Sequence, residues 1–294
     1  MDVKTRGYVS FKYQQVDKKA GNANNMNIAR QIEAGHDCLE IPMGYAAVYV
    51  VENKVYADQT YKGNLLAREI KRDLYEKVKK AIENLDWKNV VINKNAHGPA
   101  ITLTIRRPGF HDISIDNTAS LPCNIPVTVY GWPRPQTRDA FPADTIEDAI
   151  KTGLHIVPKG DELWAFSFSN VEKYLLNKMD GQNGCRRKVN KFLKKYAQIC
   201  SSRSENGLPG VSSYIFKHAI LWASEKHPDP EYWHDANIAN CLFDSIDDVI
   251  RTLDSGKLPN YFNTSENILK GKDPETLRTL SNYLKEEREK LLHI

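Results

Sequence analysis

Residues 164–173 read Trp-Ala-Phe-Ser-Phe-Ser-Asn-Val-Glu-Lys, and residues 212–217 read Ser-Ser-Tyr-Ile-Phe-Lys. Both segments combine small hydroxyls with lysine, and the second adds a tyrosine. This combination suits a nucleotide pocket, because hydroxyl and ammonium groups bind phosphate and a tyrosine ring can stack on a base. From Asp161 onward the spacing of apolar residues becomes typical of helices. The candidate site therefore lies where a strand-rich part of the chain gives way to a helical one.

The chain before this point carries several strand patterns. Residues 46–51 read Ala-Ala-Val-Tyr-Val-Val, which predicts a strand, and residues 126–132 predict another. Apolar side chains recur at helical spacing from Leu66 to Leu85, with charge on the opposite face, and predict one long amphipathic helix. Residues 13–27 are rich in Asn, Lys and Gln without apolar periodicity, so we expect the N-terminal segment to be weakly structured.

Two further strands are predicted between the long helix and residue 116. Residues 100–105 alternate between apolar and polar, and Pro108-Gly109 turns the chain into a second alternating strand. On that second strand we expect Ile113 and Ile115 to face the core. The opposite, polar face then carries Asp112, Ser114 and Asp116.

The second half of the chain is predicted to be a set of helices. Apolar residues at helical spacing mark one helix near 189–196 and another near 211–222. Asp273 is a predicted N-cap, followed by Pro274 in the first turn of the last helix. We therefore expect an α+β fold with a weakly structured segment (1–38), a mixed-sheet lobe with a long helix (39–160) and a helical-bundle lobe (161–294), with a cleft between the lobes.

Composition limits the class of protein. The net charge of +4 is too small to indicate nucleic-acid binding by itself, because phosphate contacts depend on local charge. The five cysteines are widely spaced and form no Cys-x-x-Cys pair, so neither a disulfide framework nor a structural zinc site is expected. No apolar run approaches the roughly 18 residues of a membrane span. A cytoplasmic protein without membrane contact is the expectation.

The two opening segments, together with Ile-Ser-Ile-Asp at 113–116 and His-Ile-Val-Pro-Lys at 155–159, resemble the cyclic GMP-AMP synthase-like receptors from about Leu39 onward. The resemblance implies a nucleotidyltransferase of innate immunity that is activated by nucleic acid. Such an enzyme joins nucleoside triphosphates (ATP and GTP) into a cyclic dinucleotide with Mg²⁺ or Mn²⁺.

The resemblance also implies roles for particular residues. Asp116 matches a metal carboxylate of the catalytic centre; a strand-end Asp that makes a turn hydrogen bond is the alternative. The implied nucleotide-binding residues are Ser169, Glu172, Lys194, Ser213 and Tyr214. Ser169 and Glu172 also fit a helix capping box, and Tyr214 also fits an apolar core position. Both interpretations stay open for these residues.

Two other elements of the family pattern are missing from this sequence. The family has a Gly-Ser loop that grips phosphate and an acid-x-Asp strand that carries two further metal carboxylates, and neither motif occurs in this chain. Two divalent cations need several carboxylates to offset their charge. The hypotheses are therefore a cyclic dinucleotide synthase, inactive if no other carboxylates complete the site, and a noncatalytic family member that binds nucleotide or nucleic acid in a regulatory role.

A basic run at residues 186–198 contains no acidic residue. A helix there presents a cationic face that could contact several phosphates, although most such faces are only solvated. The implied nucleic-acid-binding residues are Arg186, Arg187, Lys188, Lys191 and Lys195. The family's zinc-binding relatives insert His and Cys ligands just before this helix, and this chain has only Cys185 there. Double-stranded RNA is therefore the expected activator rather than DNA, and it would be recognised through shape and backbone.

Overall fold

The computed structural model describes residues 9–13, 45–50, 60–61, 64–93, 99–110, 112–123, 125–179, 184–204 and 207–293. Contacts divide the chain into two compact units. The sheet unit comprises residues 1–124 and 154–167, and the helical unit comprises residues 125–153 and 168–294. The predicted α+β class is confirmed.

All ten described strands lie in the sheet unit. They are β1 (Val9–Tyr13), β2 (Tyr45–Val50), β3 (Thr60–Tyr61), β4 (Asn64–Leu65), β5 (Val90–Asn93), β6 (Ala100–Ile105), β7 (Ile113–Thr118), β8 (Leu121–Cys123), β9 (Leu154–Lys159) and β10 (Leu163–Ser167). Seven of them form one sheet in the order β3-β4-β2-β10-β9-β8, with β1 paired to β2. The remaining three form a second sheet, β5-β6-β7, and every strand pair described is antiparallel.

The larger sheet is anchored by its buried aromatic and aliphatic residues. Trp164 in β10 is fully buried, and its indole nitrogen donates a hydrogen bond to the carbonyl of Leu65 at 3.0 Å. In β9, Leu154 and Ile156 alternate with more exposed residues and are buried. The sequence pattern predicts helices from Asp161 onward, but residues 163–167 form strand β10. The next helix begins only at Ser169. Trp164 and Phe166 alternate with smaller side chains there, which is the period of a strand.

Strand β1 also differs from the sequence-based expectation of a weakly structured N-terminal segment. Residues 9–13 read Val-Ser-Phe-Lys-Tyr, which alternates in the strand period, and the segment pairs with β2 from Val9 opposite Val50 to Tyr13 opposite Ala46. The polar run at residues 13–27 starts where this strand ends. Residues 14–44 lie outside the described part of the chain.

The β5-β6-β7 sheet has the predicted hairpin but not the predicted burial. Leu103 lies opposite Ile115 and Ile105 lies opposite Ile113, so these apolar side chains share one face. Ile113 and Ile115 are nevertheless 40% and 41% exposed, so the prediction that they face the core is wrong. The reason is that alternation determines which side chains share a face, whereas burial requires another layer to cover that face.

The described helices are α1 (Ala67–Asn84), α2 (Pro135–Ala140), α3 (Ala143–Lys151), α4 (Ser169–Lys178), α5 (Cys185–Arg203), α6 (Ser213–Lys226), α7 (Ile238–Ser255) and α8 (Pro274–Leu291). Helix α1 confirms the predicted long amphipathic helix. The predicted strand at residues 126–132 is wrong, because Val127–Tyr130 form a 3₁₀ helix. Pro126 precedes this turn and Gly131 ends it in a left-handed conformation, which together favour a short helical turn. Among the described residues, no helix is both long and apolar enough to cross a membrane.

The core of the helical unit is formed mainly by α5, α6, α7 and α8. Leu193, Ile220, Val249 and Leu280 are completely buried in one continuous apolar cluster. Helix α8 begins as predicted, since the Asp273 side chain accepts a hydrogen bond from the backbone N–H of Thr276 at 2.9 Å and Pro274 occupies the first turn.

A charged network ties α2 to α6 and to residues 259–261. The Arg134 guanidinium donates to the buried Glu225 carboxylate at 2.8 Å and to the Tyr261 carbonyl at 2.6 Å. The same carboxylate accepts hydrogen bonds from the hydroxyls of Thr137 and Tyr261 at 2.5 and 2.7 Å. The guanidinium also lies over the rings of Trp222 and Tyr261, at 4.4 and 4.6 Å. Each charge is therefore neutralised and hydrogen-bonded, as a buried ion pair requires.

Candidate nucleotide site

The candidate site is built around Glu172, which lies in the first turn of α4 and is only 1% exposed. The alternative prediction of a capping box is wrong: the helix begins at Ser169 itself, Phe168 occupies the cap position, and no side chain caps it. Glu172 therefore does not reach back to the helix start. Its carboxylate points into the helical unit, where it needs partners of opposite charge.

Two residues of α6 supply those partners. The Lys217 ammonium lies 3.2 Å from Oε2 of Glu172, and Nε2 of His218 lies 3.4 Å from Oε1. Nδ1 of His218 accepts a hydrogen bond from the backbone N–H of Tyr261 at 2.9 Å. The ring proton of neutral His218 is therefore on Nε2, facing the carboxylate.

These contacts decide the protonation of Glu172. Burial alone would raise the pKa of the Glu172 carboxyl, but the His218 ring beside it and the charge of Lys217 outweigh burial and hold the pKa below its ordinary value. Glu172 is thus an ionised carboxylate held inside the unit. Helix α4 and helix α6 are joined through it.

Tyr214 lies one helical turn before His218 and packs against it. The two rings meet edge to face with centroids 4.2 Å apart, and the hydroxyl accepts a hydrogen bond from the Asn260 amide at 3.4 Å. Burial raises the pKa of the Tyr214 hydroxyl, and the nearby charges of Glu172 and Glu266 raise it further. The residue is half-buried, so both a packing role and a ligand contact fit its position.

Lys194 of α5 faces the same cluster. It is half-buried, and its pKa is lowered first by burial and then by repulsion from Lys217 and Arg187, with Glu172 acting in the opposite direction. Two cationic side chains therefore repel Lys194, and among the described residues Glu172 is the carboxylate that acts on it. This is an excess of positive charge at a partly covered site, which favours an anionic ligand.

The two predicted serines lie at helix starts. Ser169 and Ser213 are the first residues of α4 and α6, and both are exposed. Backbone N–H groups in the first turn of a helix attract anions, and a serine hydroxyl adds a further hydrogen-bond donor. All five predicted nucleotide-binding residues thus belong to the helical unit.

The predicted nucleic-acid-binding residues of α5 fall into two groups: three that contact other side chains of the protein, and two that are exposed. Arg186 is buried with its guanidinium 4.5 Å from the Trp233 ring, Arg187 donates to the Asn177 side chain, and Lys188 pairs with Asp235 at 2.6 Å. The exposed group consists of Lys191 and Lys195. The burial of Arg186 against the Trp233 ring does not support its prediction as a phosphate contact, because a buried guanidinium is not accessible to a nucleic-acid backbone.

Asp116 lies in β7 of the sheet unit, one strand away from Thr102. It is exposed, and its Oδ1 accepts a hydrogen bond from the Thr102 hydroxyl at 2.7 Å. Within the described residues there is no group of three or more His, Cys, Asp or Glu side chains able to hold a metal ion. The described part of the chain thus does not supply the carboxylates that two divalent cations require. Residues 14–44, which hold further carboxylates such as Asp37 and Glu40, lie outside the described residues. The absence of zinc and the cleft between the lobes remain predictions.

The structure adds two residues to the candidate site, Lys217 and His218, that the sequence patterns did not single out. Lys217 ends the segment at residues 212–217, and His218 lies within the helix predicted near residues 211–222. Their spacing of three and four residues from Tyr214 places them on one helix face, which was a usable signal. Their common partner, Glu172, is distant in sequence, so only the fold brings them together.

Comparison with known proteins finds two domain matches, whose boundary differs from that of the two contact units. The model of the Mab-21 protein nucleotidyltransferase domain matches residues 2–178, including the N-terminal residues, and that of the Mab-21 protein HhH/H2TH-like domain matches residues 185–286. The boundary between the two matches lies between α4 and α5.

The relatives include a Mab-21-like protein, a cyclic GMP-AMP synthase and a synthase-like receptor. Protein mab-21-like 3 of Xenopus laevis is 25% identical over 233 residues, which cover 77% of this chain and 60% of that protein. Cyclic GMP-AMP synthase of Mus musculus is 25% identical over 274 residues, covering 84% of this chain and 50% of the enzyme. A cyclic GMP-AMP synthase-like receptor of Magallana gigas is 28% identical over 218 residues, covering 68% and 35%. The chain thus spans 60% or less of these relatives' lengths. Its two domain matches show that it belongs to the Mab-21 family of nucleotidyltransferase-fold proteins.

Proposed function

We propose that the helical unit binds a nucleoside triphosphate at the cluster around Glu172. The observation that carries this proposal is the placement of Lys217 3.2 Å from the buried Glu172 carboxylate, with the half-buried Lys194 close enough to interact with the charges of both. A bound polyphosphate would offset the repulsion that Lys217 and Arg187 exert on Lys194. The affinity for polyphosphate is therefore increased by positive charges that repel one another when no ligand is bound.

Each residue has a distinct part in this proposal. Lys194 and Lys217 bind phosphate oxygens, Ser213 adds its hydroxyl at the first turn of α6, and the Tyr214 ring stacks on the base. Glu172 acts by holding Lys217 in place, since one of its oxygens lies 3.2 Å from that ammonium. Ser169 lies at the start of the helix that carries Glu172 and contributes a hydroxyl to the sugar or base.

The finer activity is a proposal based on the family relation. We propose a cytoplasmic protein of innate immunity in which double-stranded RNA contacts Lys191 and Lys195, and in which ATP and GTP with Mg²⁺ or Mn²⁺ are the substrates for a cyclic dinucleotide. Support comes from the similarity to proteins named as cyclic GMP-AMP synthase and synthase-like receptor. The alternative is a noncatalytic member that retains nucleotide and nucleic-acid binding, which is favoured by the carboxylate set of the described residues.

Isothermal titration with ATP and with GTP, in the presence and absence of Mg²⁺, tests the binding proposal. Lys194→Ala should weaken binding about tenfold, because it removes one charge-assisted phosphate contact. Lys195→Ala, on the same helix but exposed, is the matched control and should leave affinity unchanged. Equal effects of the two substitutions, or no binding to the unchanged chain, would refute the proposal.

A product assay separates the two activities. ATP and GTP are incubated with the chain, Mg²⁺ or Mn²⁺ and double-stranded RNA, and products are identified by mass spectrometry. We expect little or no cyclic dinucleotide from this chain. Robust product that disappears in Asp116→Asn would establish the synthase hypothesis and would place the missing carboxylates outside the described residues.

A further inference from the structure

A concave surface lies in the helical unit, between α6 and α7 and the loop that follows α7. We call it the α6–α7 groove. Its volume is about 370 Å³, and its lining includes Ala219, Trp222 and Ala223 of α6, Thr252 of α7, and Leu258. It shares no residue with the cluster around Glu172. The volume lies within the range of known small-molecule sites.

The apolar wall of the groove is preformed. Ala219 and Ala223 are one helical turn apart, and their small side chains leave the space open. The Trp222 indole is fixed on both sides: its N–H donates to the Pro259 carbonyl at 2.9 Å, and the Arg134 guanidinium lies 4.4 Å from its ring. A ligand would therefore meet a wall that needs little rearrangement, which lowers the entropic cost of binding.

The rim of the groove is cationic. It carries Lys226, Arg251 and Lys257 but only one carboxylate, Asp248. Lys226 contacts both oxygens of Asp248 at 2.9 and 3.1 Å, and Arg251 contacts the first of them. In the part of the chain that the structure describes, the Lys257 ammonium is paired with no carboxylate. It is the group most available to a ligand.

The net charge of the groove, including the ends of the surrounding helices, indicates the charge of the ligand that fits it. The side chains leave an excess of two positive charges, and the groove runs along the C-terminal halves of α6 and α7. Each helix C-terminus contributes about half a negative charge, so roughly one positive charge remains. A monoanion matches that charge better than a polyphosphate does. This distinguishes the groove from the lysine-rich site proposed for triphosphate.

We propose that the α6–α7 groove binds a small organic monoanion, namely a carboxylate on a flat apolar body. The apolar body lies against Ala219, Ala223 and the Trp222 indole. The carboxylate pairs with Lys257 and also interacts with Lys226 and Arg251, which contact Asp248. Neither the family match nor the relatives' names assign a ligand to this surface. The site would add a metabolite-sized ligand to a unit whose other proposed ligand is a nucleotide.

The probe for this proposal is 2-naphthoate, with the uncharged 2-naphthamide as its matched comparison. We expect naphthoate to bind, by titration calorimetry, at least about fivefold more tightly than the amide, because only the carboxylate pairs with the rim. Thr252→Phe should abolish binding by filling the groove, with the melting temperature recorded to confirm folding. Equal affinity of carboxylate and amide would overturn the proposal.

A pair of charge reversals keeps the test independent of the groove-filling variant. Lys257→Glu and Lys270→Glu change the net charge equally, and both lysines are exposed in the region between α7 and α8. We expect about five- to tenfold weaker naphthoate binding in the first and unchanged binding in the second. Equal losses would show that naphthoate responds only to overall charge, and the proposed site would be wrong.

Discussion

The β5-β6-β7 sheet and the α5–α8 helix group both carry regular apolar patterns, yet their burial differs. Leu193, Val249 and Leu280 of the helices are completely buried, whereas Ile113 and Ile115 of β7 are about two-fifths exposed. The helices close on one another, so each apolar stripe is covered by its neighbours. In the three-stranded sheet, β7 is an edge strand and its apolar row is only partly covered. The periodicity of apolar residues therefore indicates which residues share a face, and the number of packed layers decides whether that face is buried.

The largest effect is expected where a buried charge loses its partner in the helical unit. Glu225→Ala should lower the free energy of unfolding by about 3–5 kcal/mol, because it leaves the Arg134 guanidinium without its counter-ion and two hydroxyls without their acceptor. Urea denaturation followed by tryptophan fluorescence measures this. Glu275→Ala, which removes an exposed pair with Arg278, is the control and should change stability by less than about 1 kcal/mol. A small effect at Glu225 would mean that the network is solvated in solution.

The apolar core can be tested by two substitutions of the same type in and just after α8. Leu280→Ala should destabilise by about 2–5 kcal/mol, since it opens a cavity in the buried cluster. Leu292→Ala, at a position that is more than half exposed, should change the free energy of unfolding by about 0.5 kcal/mol or less. Urea denaturation of both variants measures the contrast. Similar values for the two would contradict the packing described for the helix group.

Glu172 links the core to the candidate site, and its stability contribution depends on pH. Because its folded-state pKa is depressed, the contribution is present above the ordinary value of 4.5 and is lost as the pH falls through the lower folded value. Glu172→Gln should cost about 1–3 kcal/mol at neutral pH and should flatten the loss of stability below pH 4.5. Denaturation from pH 3 to 7 measures both effects, with the exposed Glu147→Gln as control. An unchanged acid slope would show that the carboxylate is not held ionised.

The smallest effect is expected on the exposed row of β7. The double substitution Ile113→Thr and Ile115→Thr preserves β-branching and should cost about 1 kcal/mol or less, because little area leaves the core. The measurement is again urea denaturation. A loss as large as that of Leu280→Ala would show that this face is covered in solution, and the comparison between sheet and helices would then fail.

Much of the fold was predictable from local patterns. The long helix α1, the β6–β7 hairpin and the start of α8 at Asp273 follow from periodicity, turn residues and capping, all of which act within a few residues. The errors arose where neighbours decided the outcome. Val127–Tyr130 coil into a 3₁₀ turn between Pro126 and Gly131, and Ser169 starts its helix without acting as a cap.

The candidate site was predictable in part, through the family resemblance. Four of the residues it implied form or adjoin the cluster: Glu172, Lys194 and Tyr214 directly, and Ser213 at the start of α6. The partner His218 was not predicted, because a histidine in an apolar stripe usually indicates packing. Its role depends on Glu172 from α4 and on the Tyr261 amide, and no local pattern reports contacts over such sequence distances.

The chain order of the two units has a consequence for synthesis and for fragments. Residues 125–153 belong to the helical unit, and residues 154–167 then return to add β9 and β10 to the sheet. A ribosome therefore delivers the first helical-unit segment before the larger sheet has its last two strands. No single cleavage yields both units intact: a cut after residue 124 removes β9 and β10 from the sheet, and a cut after residue 167 leaves α2 and α3 attached to the wrong fragment. Limited proteolysis should accordingly produce fragments that stay associated or unfold, rather than two separately stable domains.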